Sequence, residues 1–536
     1  IPTTVFRMPA NFPPVPSSGK SLSGLGTPDL LGSMGTFSFF ASRPPKNARN
    51  LRGGGEIVPV RVVDNRVDAR LKGPTNTFRR RELRRGRGRA SAGPRGKQNP
   101  QYENPPCAID FTIFLDSEEA VAKVVVQDRE FILKEGEWSD WIRVEFRPLP
   151  GLASVGGAGV VTATARFYLQ QVRPDFRLYV SPLQIDPARP ALPLSTPADW
   201  SRDLCEKIGP FYTQGLPEDT KALSGGIFTG REFWDQAQFV LQERRRALER
   251  LLEDFDEGLL FFYLSSLDQG THMLWRYADR EHPAFHSPSE PNEGLEDGIP
   301  TLYQQMDEIL GDVRAAIDDE TVLIVLSDHG FSPFYWCVNL NSWLLEKGYV
   351  RLRAGARQSA EGYFENVDWD RTTAYALGLN GVYVNQKGRE MNGSVLPGRD
   401  YDDLLDRLEA DLRAMRDPRN GGRPVSQVVR ARRDFRGAHV DIGPDIIVGY
   451  SRGYRVSWES PLGKFPREIF LDNDDAWSAD HCVDSQVVPG VLVANSKITL
   501  ESPALCDVTV AVLALYGIDP LPEMIGRNCL AAGPLG

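Results

Sequence analysis

Hydrophobic and polar positions change period along the chain. From Glu56 to about Val180 apolar residues alternate with polar ones in short runs: IVPVRVV, AIDFTIFL, AVAKVVVQ, EFILKEG, WIRVEFRPL, VVTATARFYLQQV and FRLYVSPL. A period of two turns one strand face inward, and turn residues at regular spacing predict a β-sandwich or partial barrel. From about Thr196 the texture changes. The helical stretch EFWDQAQFVLQERRRALERLLEDF leads into the apolar run GLLFFYLSS, and LYQQMDEILGDVRAAI leads into TVLIVLSDHG. GVYVN, YDDLLDRLEADLRAM, PDIIVGY, GVLVANSK and DVTVAVLALYG continue the alternation. Continuous apolar runs between helices predict an α/β fold, a mainly parallel sheet buried by helices on both faces. Residues 1–52 show neither period and read as loop-rich chain. The expected division is therefore 1–52, an inserted β domain over 53–186, and an α/β domain over 187–536 with a small cap-like insertion around 345–475.

Composition narrows this picture without deciding it. Hydrophobic residues make up 41% and charged residues 25% of the 536, the balance of an ordinary globular protein. No apolar run reaches the roughly 18 residues that a transmembrane segment needs. A net charge of -10 argues against general nucleic-acid affinity. The exception is the basic stretch FRRRELRRGRGRASAGPRGKQNP within 78–100. Without interleaved aromatics it offers charge but no stacking platform, so it reads as a disordered, solvated loop between strands rather than a nucleic-acid site. Six scattered cysteines without a C-x-x-C pair argue against a disulfide scaffold or a cysteine zinc site. They leave cytoplasm and periplasm both open, and the oligomeric state is equally open. The chain starts mid-pattern with IPTTVFRMPANFPP and shows no signal peptide, so a preceding segment is expected.

Candidate chemistry concentrates in three patches. Only six histidines occur. His282, His286 and His439 sit in polar or loop-like surroundings and are expected to be solvated. Asp268 and His272 follow the run GLLFFYLSS; on a helix, a four-residue separation places both on one face. Asp328 and His329 lie just past TVLIVLS, at the strand edge where open α/β sheets bind ligands. Gly330 lets the backbone turn there without a Cβ clash. His481 precedes GVLVANSK, and Asp480 beside it either ligates or orients the imidazole. Carboxylates and imidazoles at strand ends suit zinc or a similar divalent ion.

With those residues in view, SLDQGTH, SDHGF and the late His481 resemble the metal motifs of the alkaline phosphatase superfamily, in its type I phosphodiesterase and nucleotide pyrophosphatase branch. RMPANFPP, GLGTPDLLGSMGTF, EGEWSDW, RPDFRLYVSPL, KIGPFYTQGLPEDTKAL, GLNGVYVN and GYRVSW resemble a bacterial group of phosphodiesterases or phosphomutases in that superfamily. The resemblance implies two divalent ions, zinc first and manganese as the alternative. Asp268, His272 and His481 would hold one, Asp328 and His329 the other. It also implies a Ser or Thr nucleophile, and a further Asp ligand for the second ion, on a strand-loop-helix segment upstream of IPTTVFRMPANFPP. Residues 1–52 would then be a remnant of the catalytic domain. The substrate would be a small phosphoester, nucleotides included, cleaved through a covalent enzyme intermediate. The chain alone is expected to hold one ion tightly and the other weakly, with low turnover.

Within the chain, no Ser or Thr is marked as that nucleophile. Thr229 reads as a helix cap; Thr36 and Ser33 lie in a glycine-rich stretch, and no cysteine sits in a C-x-P-x-R frame. A phosphomutase would need cationic grips, for which Arg276, Arg452 and Arg455 are candidates, though each reads more readily as surface charge. A non-catalytic envelope binding protein on a degenerate enzyme scaffold is the third reading. Asn380 in GLNGVYVN is a candidate substrate contact, against a plain turn before a strand.

Overall fold

Period-two alternation becomes strand structure in the computed structural model, which describes residues 3–10, 19–25, 36–44, 55–75, 106–147, 160–213, 216–285, 294–359, 362–531 and 533. The basic stretch at 78–100, Ser33 and His286 lie outside the described residues. Contacts divide the chain into two units, residues 1–270 with 300–316 and residues 271–299 with 317–536.

In the first unit, strands Arg66–Thr75, Pro106–Leu115, Val121–Val126 and Arg129–Lys134 form an antiparallel sheet. The run VAKVVV buries every second residue, as its pattern requires. Two further sheets, one through Phe167–Gln171 and one through Val161–Ala165, share a core with it. That core includes Val67, Ile113, Val124, Phe146, Phe167 and Leu178.

The opening residues correct an expectation. Instead of irregular chain, Thr3–Ala10 forms a strand parallel to both Leu259–Phe262 and Lys20–Leu25. The β-branched Thr3, Thr4 and Val5 favour this locally, but only four strand-forming residues precede a proline-rich stretch, too few for a period to show. Phe6 and Phe262 stack with ring centroids 4.5 Å apart. Trp200 and Leu204 of helix Trp200–Ile208 and Leu251 of helix Gly230–Glu253 complete that core.

In the second unit, strand Ser332–Val338 pairs in parallel with Gly453–Val456 and antiparallel with Phe470–Asp472 and Ala479–Asp480. Strands Ala374–Leu377, Gly381–Val384, Ile446–Tyr450 and Val425–Arg430 form an antiparallel sheet. It shares a core with Leu404, Leu405, Leu408 and Leu412 of helix Arg399–Ala414. Ile324–Leu326 pairs antiparallel with Leu492–Ala494. The mainly parallel sheet expected for this region is thus not what these strands form: they pair largely antiparallel.

The apolar runs expected to be buried on both faces are only partly covered. Phe261, Val325, Leu326 and Val493 are exposed. A strand is fully buried only where a neighbouring layer lies over it, and these side chains are covered only in part. Among the described residues, no helix is long and apolar enough to cross a membrane.

Candidate metal centre

The first patch sits where a strand hands over to a helix. After Leu259–Phe262, the hydroxyls of Ser265 and Ser266 both donate to Glu218 Oε1 at 2.8 Å, fixing the start of helix Ser266–Ala278. Asp268 occupies the first turn, where the helix dipole favours negative charge. His272 follows one turn later on the same face, the relation its spacing predicted. His272 is buried, and its Nδ1 lies 2.7 Å from the carbonyl oxygen of Ala479. A carbonyl only accepts, so Nδ1 carries the proton and Nε2 presents the lone pair, the arrangement usual for a metal-binding histidine.

The segment holding His481 is tied down by one carboxylate. Asp480 Oδ1 accepts from the backbone N–H of His481 at 2.7 Å and of Cys482 at 2.8 Å. Asp480 Oδ2 accepts from the Trp477 indole at 2.6 Å, and Arg455 Nε lies 2.6 Å from the same oxygen. Burial alone would raise the pKa of Asp480, but the Arg455 charge, the neighbouring His272 and these N–H donors outweigh it and hold it down at about 2.

Asp328 and His329 follow strand Ile324–Leu326, with Asp328 Oδ1 3.4 Å from His329 Nε2. The Asp328 side chain is 66% exposed. Gly330 fulfils its expected role by close approach: a Cβ there would meet the Pro489 carbonyl oxygen at 2.6 Å.

Three imidazoles from three separated segments thus share one region. The rings of His272 and His481 lie 5.0 Å apart, and those of His329 and His481 stack at 3.5 Å with 15° between planes. Phe331 sets its edge against all three. Burial keeps His272 neutral, with a value of about 3, and burial together with the neighbouring His329 lowers His481. Neutral imidazoles with a carboxylate beside them form a donor set that fits a borderline divalent ion such as zinc. Asp480, His481 and Cys482 also bring ligand atoms within 4.8 Å of one another.

Several side chains depart from their expected surroundings. Arg455 is not a surface charge: it is 1% exposed and lies 4.0 Å over the Trp458 ring. Arg276 is buried too, donating to the Tyr277 hydroxyl at 2.9 Å, whereas Arg452 is exposed as expected. His282 is not solvated. It is buried, with Nε2 3.0 Å from the Phe334 carbonyl oxygen and Nδ1 accepting from the Ala284 N–H at 3.0 Å. Burial lowers its pKa to about 4. His439 is exposed, as expected. Thr229 caps its helix reciprocally: its hydroxyl accepts from Glu232 N–H, and Glu232 accepts from Thr229 N–H at 2.7 Å. Thr36 is buried. Asn380 sits between the two strands of a hairpin, its Nδ2 donating to the Cys482 carbonyl oxygen at 3.2 Å.

The anchoring role of Arg455 was missed in the sequence. Its signal was an arginine between Tyr454 and Val456 in a short strand, every residue of which is buried. The family model described as Type I phosphodiesterase / nucleotide pyrophosphatase matches residues 155–461, more than half of the 536. It spans Asp268, His272, Asp328 and His329 and stops before His481. No curated protein matches the chain.

Proposed function

The chain belongs to the type I phosphodiesterase/nucleotide pyrophosphatase family of the alkaline phosphatase superfamily, and from that premise we propose that it is a metal-dependent hydrolase of phosphoesters, favouring diesters and nucleotides over monoesters. Asp268, His272 and His481 hold one divalent ion; Asp328 and His329 hold the other. Zinc is the preferred ion, with manganese as the alternative. When bound, two such ions neutralise charge on the attacking and leaving oxygens of an in-line displacement at phosphorus. The observation that carries the reading is the meeting of His272, His329 and His481, drawn from three segments, with His272 and His481 held neutral by burial.

The chain's own residues prepare that chemistry. The Ala479 carbonyl fixes the His272 tautomer so that Nε2 faces its ligand. Phe331 and Trp477 border the imidazoles and restrict water at the buried end. Asp328 is open to solvent. Asn380 supports the Cys482 carbonyl and thereby the segment after His481. Neither Thr229, engaged as a helix cap, nor the buried Thr36 is assigned as the nucleophile. The sheets around Val121–Val126 form an inserted β domain. A phosphomutase has less support, because two of its three candidate grips, Arg276 and Arg455, face inward.

Zinc titration of the metal-free chain, with turnover of bis-p-nitrophenyl phosphate, p-nitrophenyl phosphate and a phosphosugar, tests the proposal. The expected result is zinc-dependent turnover greatest on the diester and lost in His272→Ala. Zinc-independent turnover, or phosphosugar rearrangement, contradicts it.

A further inference from the structure

The Asp480 carboxylate is a poor metal ligand in this arrangement. An ionised carboxylate offers about four lone-pair directions. Three are engaged by hydrogen bonds, from the N–H groups of His481 and Cys482 and from the Trp477 indole, at 2.6 to 2.8 Å, and the Arg455 guanidinium lies 2.6 Å from Oδ2 as an ion pair. Arg455 and Asp480 are both almost fully buried, with side chains 1% and 2% exposed. A buried pair of this kind is costly unless its geometry does something that a hydrophobic pair does not.

What it does is visible in its partners. One oxygen of Asp480 grips the backbone N–H of His481, fixing where that imidazole leaves the chain. The other grips the indole of Trp477, whose ring lies against His272 at 3.8 Å with 30° between planes. One carboxylate therefore sets the planes of two imidazoles. Arg455 sets the carboxylate in turn. It comes from strand Gly453–Val456, paired to Ser332–Val338, and its guanidinium is clamped between Trp458 at 4.0 Å and Phe334 at 5.2 Å.

We infer that Arg455 and Asp480 form a positioning pair that aligns His272 and His481 for a divalent ion, with Asp480 outside the coordination shell. The inference rests on the proposal that those histidines ligate. Losing a supporting partner of a metal-binding histidine weakens metal affinity by about 10–100-fold. Arg455→Met leaves the carboxylate buried and unopposed, so zinc affinity should fall in that range although arginine never ligates. Arg455→Lys keeps the charge but not the planar fork and should fall between.

The test is chelator-competition measurement of zinc binding by the whole chain, for the unaltered protein and for Arg455→Met, Arg455→Lys, Asp480→Asn and His481→Ala, with visible spectra of the cobalt-substituted forms. Expected are losses of about 10–100-fold in Arg455→Met and Asp480→Asn, partial recovery in Arg455→Lys, and an unchanged cobalt band pattern in Asp480→Asn. If Asp480 were a ligand, freeing it in Arg455→Met would leave zinc binding equal or tighter, and Asp480→Asn would match His481→Ala and shift the cobalt bands. Either result overturns the inference. Should Arg455→Met fail to fold, Arg455→Lys and the cobalt spectrum of Asp480→Asn still decide. If His481→Ala itself leaves zinc affinity intact, the metal assignment falls and this inference with it. Normal sensitivity at His481 with none at Arg455 removes the inference alone.

Discussion

Two of the three histidine-bearing segments that meet at the centre are built in opposite ways. The Ser478–Cys482 segment is held from within: Ser478 N–H donates to the His272 carbonyl oxygen at 2.7 Å, and Asp480 is buried between three N–H donors and the Arg455 guanidinium. The Ser327–Phe331 segment is held mainly by backbone. Ser327 and Gly330 N–H donate to Val491 and Val488 carbonyl oxygens at 2.9 Å, and Asp328 stands largely in solvent. The difference teaches where rigidity is placed. Imidazoles fixed by a buried network lose little further freedom when an ion binds, whereas an exposed carboxylate must be ordered at that moment. The account therefore expects two unequal metal positions.

The largest effect expected is from His272→Ala or His481→Ala. Each removes a fixed ligand and should weaken the tighter zinc by on the order of 100-fold or more, read by chelator competition. A smaller and separable effect belongs to Asp328→Ala. It should abolish the weaker binding event while leaving the tighter within a factor of about three, because the exposed Asp328 belongs to the other ion's ligand pair. A loss of both ions together would break the comparison. Gly330→Ala sharpens it from the backbone side. Its Cβ would press on the Pro489 carbonyl oxygen, so a stability loss of about 1–3 kcal/mol is expected by urea unfolding, with weakening confined to the Asp328/His329 ion.

Acid should act first through buried neutral histidines. His282 has a pKa of about 4 in the folded chain against an ordinary value of 6.5. The unfolded state therefore binds the extra proton between those values. Its stabilising contribution is complete above pH 6.5 and is lost as pH falls towards 4. Urea unfolding of the metal-free chain from pH 7 to pH 4.5 should show this decline, and His282→Gln should flatten it by close to one proton. The smallest effect is at Thr229. Thr229→Ala should cost about 1 kcal/mol of stability and leave zinc binding and turnover unchanged, since its hydroxyl serves the helix and not the site.

The sequence made different parts of this molecule legible to different degrees, for physical reasons. Strands that bury one face, such as Val121–Val126, announce themselves by alternation. Thr3–Ala10 was missed because its partners, Leu259–Phe262 and Lys20–Leu25, lie elsewhere in the chain and pairing is not a local property. The separation of Asp268 and His272 foretold one helix face, and Thr229 was legible as a helix cap. His282 and Arg455 were misjudged together. Polar surroundings in sequence suggested solvent, yet both are buried with tertiary partners, Phe334 for one and Asp480 for the other. A polar residue's burial depends on which distant acceptor arrives beside it.

The most direct test is a calorimetric zinc titration of the metal-free chain. The account predicts two events separated by about 100-fold in affinity, the tighter removed by His481→Ala and the weaker by Asp328→Ala. Two equally tight ions, or binding indifferent to both substitutions, would contradict it.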